Sequence, residues 1–149
     1  MDHRSSSETP GEDWLMAIRP LFAEMILDGR KTCELRRNRC RIGAGNRVWM
    51  YATGDQLISG WFEVQDLAFG APRDVCLMFS ASAGLDPADC ERYFGGAKTG
   101  TAITFRRVFK VSRPLPLPVG VSPPRSYQRI PPHGALWQAV HWEVDRRNG

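Results

Sequence analysis

The chain has 149 residues, of which 42% are hydrophobic and 24% are charged, and its formal net charge at pH 7 is +4. This length suits one domain with a single core, and the hydrophobic share excludes a wholly disordered chain. No apolar run approaches the roughly 20 residues that span a bilayer, and the polar N-terminus lacks the apolar stretch of a secretory signal. We therefore expect a cytoplasmic protein.

The first third of the chain predicts a tail, a strand, a helix and a second strand. Residues 1–12 are polar and rich in serine, so we expect a disordered tail. The apolar run Trp14–Ile18 indicates a buried strand. Pro20 suits the first turn of a helix, and Gly29 suits the left-handed residue that ends it. Alternation of side chains then predicts an extended segment over Thr32–Arg36.

The middle of the chain predicts a β-hairpin and two helices. Asn46–Thr53 and Ile58–Leu67 are rich in β-branched and aromatic residues, and the turn-forming sequence TGDQ between them favours antiparallel pairing. Pro72–Ala83 is predicted to be helical. Asp86 and Pro87 begin a second helix, because aspartate caps helix N-termini and proline fits the first helical position.

The last third predicts a strand, a proline-rich loop and a final helix. Thr101–Val111 has the composition of a strand, and residues 114–132 contain seven of the eleven prolines. Ala135–Val144 carries apolar residues at helical spacing. Five or six strands with short helices at the mouths of a barrel predict an α+β fold, a small and mostly antiparallel β-barrel. We assign it to a single domain over residues 13–149.

The four cysteines contain no CxxC pair, and the three histidines lie far from them in sequence. A zinc site therefore has little support, and we predict neither a metal nor another cofactor. An even number of cysteines would allow disulfides, but the absence of a secretory signal favours reduced thiols in the core. Charges flank Cys33 and would lower the pKa of its thiol. The other three are Cys40, Cys76 and Cys90.

A dense basic block follows the predicted first helix. Residues 30–41 contain six basic side chains and a single acid, Glu34. Such a block attracts phosphate through its long-range field and through the release of counterions. It is either a solvated edge or the wall of a pocket that holds an anion. The basic residues are Arg30, Lys31, Arg36, Arg37, Arg39 and Arg41.

Four residues of this region have the spacing GxKxxExR, which resembles the signature of the ASCH domain family, a member of the PUA-like superfamily. They are Gly29, Lys31, Glu34 and Arg36. The sequence IRPLFAEMILDGRKTCELR, which contains them, follows the strand–helix–strand opening of that family. The resemblance extends over about residues 14–130, and only the opening is specific.

The resemblance implies a PUA-type β-barrel with a cleft beside its opening helix, and a ligand that is RNA, a nucleotide or a modified nucleoside. Some members of the family hydrolyse acetylcytidine, and at least one is reported to cut RNA. In the amidohydrolase-like members a lysine matching Lys31 is catalytic, and a threonine stands where this chain has Glu34. That difference argues against deacetylation here and leaves another hydrolysis open.

The residue types indicate how such a cleft would work. Glu34 and Arg36 lie on one face of a strand, so in a concave site Arg36 would hold the carboxylate ionised and contact a phosphate or a base carbonyl. Lys31, beside Arg30, would contact a phosphate or act as a general base with Glu34 as its partner. On an open surface the same groups would form only a weak ion pair.

Two further segments contribute candidate ligand-binding residues. Thr53 ends the third predicted strand, where PUA-like pockets commonly receive side chains. Arg125, Ser126 and Tyr127 follow a Pro-Pro pair and combine a guanidinium, a hydroxyl and an aromatic ring. Together they would form a lid or a stacking platform for a base. The alternative is that Tyr127 packs against the core and the loop only wraps around the domain.

Three functions are compatible with the sequence. The first is an RNA- or nucleotide-binding domain with a basic cleft. The second is a hydrolase, either a ribonuclease or a nucleoside amidohydrolase, with Lys31 as the base. The third is a protein-interaction domain with a partner in transcription or RNA metabolism. The basic block favours a nucleic acid over a protein partner.

Overall fold

The computed structural model describes residues 12–148, and these form six strands and four helices. The predicted tail lies outside the described residues except for Glu12, whose carbonyl accepts a hydrogen bond from Arg47 N at 2.9 Å. The strands are β1 (Asp13–Ile18), β2 (Cys33–Arg37), β3 (Arg47–Ala52), β4 (Leu57–Gly70), β5 (Gly100–Leu115) and β6 (Tyr127–Arg129). The helices are α1 (Pro20–Leu27), α2 (Pro72–Phe79), α3 (Pro87–Phe94) and α4 (Ala135–Asn148).

The six strands form one curled sheet in the order β2-β5-β4-β3-β1-β6. Only the pair β1 and β3 is parallel in this sheet, and each of the other neighbouring pairs is antiparallel. The sheet curls into a half-barrel with short helices around it. The predicted α+β fold with a mostly antiparallel barrel is confirmed, and the barrel is a half-barrel.

The two faces of the sheet carry separate apolar clusters. The inner face packs against α1, and Met16 and Phe62 are fully buried there. The outer face packs against α4, where Trp61 stacks on Trp49 and on Phe109 with ring centroids 4.5 and 4.8 Å apart. Each face is therefore stabilised by its own helix, because apolar area is removed from water on both sides.

A third cluster attaches α2 and α3 to the end of the sheet that contains β2. Val75 and Phe94 are buried against Leu35 and Ala102. Gly100 allows Phe94 to approach the sheet, because an added Cβ would lie 2.7 Å from a carbon of its ring. This packing holds α3 beside β2.

The turn after α1 determines where β2 begins. Pro20 occupies the first turn of α1, and Gly29 follows its end with a φ of +87°, a conformation that glycine adopts readily. Lys31 N then donates a hydrogen bond to Met25 O at 3.0 Å. The predicted helix end at Gly29 is confirmed, and Lys31 lies between this turn and the start of β2 at Cys33.

Several element boundaries differ from those predicted. Helix α2 ends at Phe79 rather than at Ala83, and the chain then turns through Gly84, which has a φ of +75°, while Leu85 N donates to Ser80 O at 2.9 Å. Strand β5 continues to Leu115 and helix α4 to Asn148. Strand β6 lies within the segment predicted as a loop. It forms by pairing with β1, a partner more than a hundred residues away that local sequence does not reveal.

The expectation of reduced cysteines is wrong for one pair. Cys76 on α2 and Cys90 on α3 form a disulfide, with their Cα atoms 5.8 Å apart. Cys33 and Cys40 are free and buried. Burial raises the pKa of the Cys33 thiol to about 12, so the expected lowering by nearby charges is also wrong. Desolvation outweighs the attraction of the neighbouring Lys31 ammonium.

Among residues 12–148, no helix has the length and apolar character needed to cross a membrane. Within the same residues, no group of three or more His, Cys, Asp or Glu side chains is arranged to hold a metal ion.

Candidate functional site

A cavity of about 650 Å³ opens between β1, α1, β2 and α3. Pockets for small ligands have volumes of about 300–1,000 Å³, so a single nucleotide-sized molecule fits this range. Charged side chains and aromatic rings both contribute to its wall. The lining residues are Ala17, Ile18, Arg19, Phe22, Lys31, Glu34, Leu35, Arg36, Leu85, Asp89, Arg92 and Tyr93.

Lys31 is the deepest of the charged residues in this wall, with 2% of its surface exposed. Its Nζ donates a hydrogen bond to Ala83 O at 2.7 Å and lies 3.3 Å from Glu34 Oε1. The same ammonium lies 5.0 Å from the centroid of the Phe22 ring, within the range of a cation–π contact. The side chain is therefore held in one position by three neighbours.

Glu34 lies between Lys31 and Arg36 and contacts both. Its Oε1 faces the ammonium, and its Oε2 lies 2.7 Å from Arg36 Nη2. Alternation along β2 explains this arrangement, because Glu34 and Arg36 extend from the same face of the strand. The carboxylate fixes the spacing of the two cations.

Arg36 connects β2 with the opposite side of the curled sheet. Its Nη2 donates to Ala17 O at 2.8 Å, and its Nη1 donates to Ser126 Oγ at 3.1 Å. Its Nε is buried and makes no hydrogen bond to any described residue. The guanidinium is thus held by β1 and by the segment before β6, and it keeps a donor that these contacts do not use.

The three charges form a compact cluster that is largely removed from water. Glu34 has 7% of its surface exposed. Burying a charge is unfavourable unless it is paired, and removal of one partner from a buried pair costs about 3–5 kcal/mol. Two cations against one carboxylate leave a net charge of +1. The cluster is therefore internally paired and still attracts an anion.

Further charges lie at the rim of the cavity. Arg92 forms an ion pair with Asp89 on the exposed side of α3, and Arg19 precedes α1. The lining as a whole has four cations and two carboxylates, a net charge of +2. Tyr93 Oη donates to Leu35 O at 2.9 Å, and burial raises the pKa of its hydroxyl. The field in the cavity is positive.

Of the six candidate ligand-binding residues, only Arg36 belongs to this lining, and the other five lie outside it. Arg30 is exposed, and its Nε donates to Asp28 Oδ2 at 2.8 Å. Thr53 is exposed and forms a backbone hydrogen bond from its N to Ile18 O at 3.1 Å. Arg125 is also exposed. The cavity wall is formed without them.

The segment Ser126–Tyr127 has two different environments. The Ser126 hydroxyl accepts the hydrogen bond from Arg36 and so supports the charged cluster. Tyr127 packs against Trp14 with ring centroids 5.6 Å apart, and its hydroxyl accepts a hydrogen bond from Arg41 N at 3.2 Å. The geometry of Tyr127 therefore corresponds to the core-packed alternative, and its ring is not a free stacking platform.

Helix α3 contributes residues that the sequence analysis did not identify. Asp89, Arg92 and Tyr93 reach the cavity because the turn after α2 brings α3 against β2. No local motif marks them, since an ordinary amphipathic helix has the same pattern of residues. Their only sequence signal is the capped start at Asp86, whose side chain accepts a hydrogen bond from Asp89 N.

Sequence comparison relates the chain to a protein from Zymomonas mobilis subsp. mobilis named ASCH domain-containing ribonuclease. The two are 27% identical over 93 residues, which cover 62% of this chain and 63% of that protein. The chain thus spans less than two thirds of the length of this relative. No protein-family model matches the chain.

Crystal structures of the ASCH protein from Zymomonas mobilis have the same fold as this chain. One superposes with a TM-score of 0.77 at 23% identity and covers 86% of this chain and 94% of that protein. A serine-to-alanine variant gives 0.77 at 22% identity, with 89% and 95% covered. A tyrosine-to-phenylalanine variant gives 0.74 at 24% identity, with 80% and 90% covered. The predicted ASCH-type fold is confirmed.

Proposed function

We propose that this chain, an ASCH domain in its fold and in its sequence relationship, binds RNA in the cavity between β1, α1, β2 and α3. The name of the relative from Zymomonas mobilis, a ribonuclease, supports RNA as the class of ligand. We assign phosphate contacts to Lys31 and Arg36, and we assign their alignment to Glu34.

The observation that carries this proposal is a pair of cations held rigidly by one carboxylate in the wall of a positive cavity. Lys31 and Arg36 each have protein contacts that fix their position before a ligand arrives. Groups fixed in this way lose little side-chain entropy on binding. Their burial also strengthens their attraction to phosphate, because the surroundings screen charge less than water does.

The size and the rings of the cavity favour an unpaired nucleotide. A volume of about 650 Å³ accommodates a base with its sugar and phosphate and excludes a duplex. Phe22 and Tyr93 line the cavity, and aromatic rings bind unstacked bases. We therefore propose single-stranded RNA as the ligand.

Fluorescence anisotropy with a labelled 12-nucleotide RNA of random sequence tests this function. We expect Lys31→Met and Arg36→Met each to weaken binding at least tenfold, because a hydrogen bond to a charged group contributes about 1.5–3 kcal/mol. Each lost phosphate contact should also reduce the slope of log affinity against log salt by about 0.7. Circular dichroism at the assay temperature establishes that each variant is folded.

Arg30→Ala is the matched control for these variants. Arg30 belongs to the same basic block, but it is exposed and pairs with Asp28. We expect its removal to change the affinity less than twofold. Wild-type protein without salt-dependent RNA binding would contradict the proposal, and so would a loss in Arg30→Ala as large as that in Lys31→Met.

Ribonuclease activity is a second candidate, and the name of the relative favours it. In this reaction the 2′-oxygen attacks the adjacent phosphorus, a 2′,3′-cyclic phosphate forms and the bond to the 5′-oxygen breaks. Lys31 Nζ, 3.3 Å from Glu34, would pass a proton to that carboxylate and accept the proton of the 2′-hydroxyl. Glu34 would then protonate the departing 5′-oxygen, and Arg36 would stabilise the charge on the phosphate.

Incubation of labelled RNA with the purified protein separates the two functions. Cleavage should yield 2′,3′-cyclic phosphate ends, should be lost in Lys31→Met and should be absent with fully 2′-O-methylated RNA. A parallel incubation with acetylcytidine tests the amidohydrolase alternative. Cleavage that is unchanged in Lys31→Met would exclude the assigned base, whereas binding without cleavage would leave only the first function.

A further inference from the structure

We infer that the ligand is single-stranded RNA that continues beyond the cavity, and that its flanking nucleotides bind to Arg37, Arg39, Arg41 and Phe69. We name these four residues the flanking surface. This inference rests on the proposed RNA binding and specifies the length and the path of the RNA.

The arginines of the flanking surface extend from a segment whose other side chains are buried. Cys40 and Ile42 belong to the inner apolar cluster with 6% and 3% of their surface exposed, whereas Arg39 and Arg41 are exposed. Alternation between core and solvent therefore directs the arginines outward.

Two hydrogen bonds fix the backbone at the start of this segment. Asn38 N donates to Thr99 O at 2.8 Å, and Thr101 Oγ1 donates to Asn38 O at 2.6 Å. The segment is thus attached to the beginning of β5. Cations on a fixed backbone bind an extended anion at a smaller entropic cost than cations on a mobile loop.

Arg37 makes the flanking surface continuous with the cavity. It ends the edge strand β2 on the opposite face from Arg36, and its Nη2 donates to Gly95 O at 3.0 Å. Gly95 directly follows α3, the helix that contributes Arg92 and Tyr93 to the cavity. A strand of RNA that leaves the cavity along this edge meets Arg37 first.

The register of the sheet brings Phe69 to the same face as the charged cluster. Thr101 on β5 pairs with Arg36 on β2 and with Phe69 on β4, so the three residues form a row across the sheet. Neighbouring strands are about 4.8 Å apart, which gives about 10 Å between the backbones at Arg36 and Phe69. The surface is thus within one or two nucleotides of the cavity.

Arg39 and Phe69 together form a platform of the kind that binds bases. Phe69 is 44% exposed, and the Arg39 guanidinium lies 4.3 Å from the centroid of its ring. Exposed aromatic rings and guanidinium planes bind bases by stacking, without a requirement for sequence. Arg41 lies over the Trp14 ring at 5.9 Å and extends the cationic row.

The charge of this surface is not neutralised by the protein. After Glu34, the next acidic residue in the chain is Asp55. Among the described residues, no ion pair joins Arg37, Arg39 or Arg41 to a carboxylate. By contrast, two other exposed arginines share the carboxylate of Glu63. The flanking surface is therefore complementary to a polyanion.

The dependence of affinity on RNA length tests this inference. The variant Arg37→Ala/Arg39→Ala/Arg41→Ala should bind a random 12-nucleotide RNA at least tenfold more weakly, with a salt slope lower by about 2 for three lost phosphate contacts. Its affinity for a random 3-nucleotide RNA should change less than twofold. Phe69→Ala should weaken binding of the 12-nucleotide RNA about fivefold or more and leave the salt slope unchanged.

A control variant removes the same charge elsewhere. Arg106→Ala/Arg113→Ala/Arg146→Ala removes three exposed arginines outside the cavity and outside the flanking surface, and we expect less than a twofold change with either RNA. An equal loss in this control would overturn the inference, because bulk charge would then explain the binding. Binding of 12-residue polyglutamate as tight as that of RNA would also overturn it.

The same measurements separate this inference from the proposed function. If Lys31→Met abolishes binding of both RNAs while the triple arginine variant binds the 12-nucleotide RNA like wild type, the flanking surface is wrong and the cavity remains. If the wild-type protein binds neither RNA, both proposals fail. If the triple arginine variant is impaired with the long RNA alone, both are supported.

Discussion

Glu34 fixes the positions of two cations in the cavity wall, because each of its two carboxylate oxygens contacts a different one. On an isolated strand this carboxylate would be free to accept a hydrogen bond from the edge of a base. In the folded chain, Lys31 and Arg36 already occupy it. In the proposed RNA-binding function, Glu34 therefore aligns the two cations, and we expect base recognition to come from other groups in the wall.

We expect Glu34→Gln to lower the free energy of unfolding by about 3–5 kcal/mol and to weaken RNA binding. The amide keeps the shape of the side chain but leaves two buried cations without a counter-charge. Urea denaturation and fluorescence anisotropy measure the two effects. Glu24→Gln is the control, because Glu24 is exposed and its neutralisation should change stability by less than 0.5 kcal/mol, as is usual for surface substitutions. Equal stabilities of the two variants would contradict the assigned role.

Cys33 is predicted to be unreactive in the folded protein despite its charged neighbours. Its pKa of about 12, against an ordinary value of 9.0, leaves about one thiolate in ten thousand at pH 8. Iodoacetamide should leave Cys33 unmodified in buffer and modify it in urea, as measured by mass spectrometry of peptides. Rapid modification of the folded protein would show that the thiol is accessible and ionised.

The raised pKa of Cys33 makes the stability of the folded protein depend on pH. The unfolded chain loses the Cys33 proton near pH 9, whereas the folded chain retains it to about pH 12. The contribution of this thiol to stability is therefore fully present below pH 9 and decreases as the pH rises above it.

At the level of elements, the parts of the site with local signals were predictable. Pro20 and Gly29 mark the start and end of α1, and alternation along β2 correctly puts Glu34 and Arg36 on one face. Helix α3 was predicted as a helix, but its position against β2 depends on packing between residues distant in sequence. The environment of Tyr127 likewise depends on the pairing of β6 with β1.

The disulfide between α2 and α3 is predicted to stabilise the wall of the cavity. It joins residues separated by 14 positions, and closing a loop of about this length contributes about 3 kcal/mol in the chain-entropy description. We expect dithiothreitol to lower the melting temperature by about 6–12 °C, as measured by circular dichroism.

Cys76→Ser/Cys90→Ser is the control for this measurement, because reductant should have no further effect on it. Thiol titration of the unfolded, unreduced protein should detect the two free cysteines, Cys33 and Cys40. Detection of four thiols under oxidising conditions, or a melting temperature unaffected by reductant, would contradict the stabilising role.

At the scale of the whole molecule, the sheet separates two polar networks. On one side is the charged cluster of the cavity. On the other, Asp13 accepts hydrogen bonds from Arg47 Nε at 3.0 Å and Trp49 Nε1 at 2.9 Å, and it lies 2.7 Å from His141 Nε2. This second network joins β1, β3 and α4. Among the described residues, none of its members lines the cavity.

This separation predicts that stability and RNA binding respond independently to substitutions on the two sides. Asp13→Asn should lower the free energy of unfolding by about 3 kcal/mol, because a buried carboxylate loses its charge-assisted contacts. The affinity of the folded protein for the 12-nucleotide RNA should stay within twofold of wild type, in contrast to Glu34→Gln. Urea denaturation and anisotropy on both variants make the comparison.

Strand β1 is part of both polar networks. Asp13 begins the strand, and the Ala17 carbonyl near its end accepts a hydrogen bond from Arg36. A shift of β1 after loss of Asp13 would move that carbonyl and misalign the guanidinium. A large loss of RNA affinity in folded Asp13→Asn would therefore show that β1 transmits changes across the sheet. An unchanged affinity would show that the contacts of Glu34 and Ser126 hold Arg36 independently of the outer face.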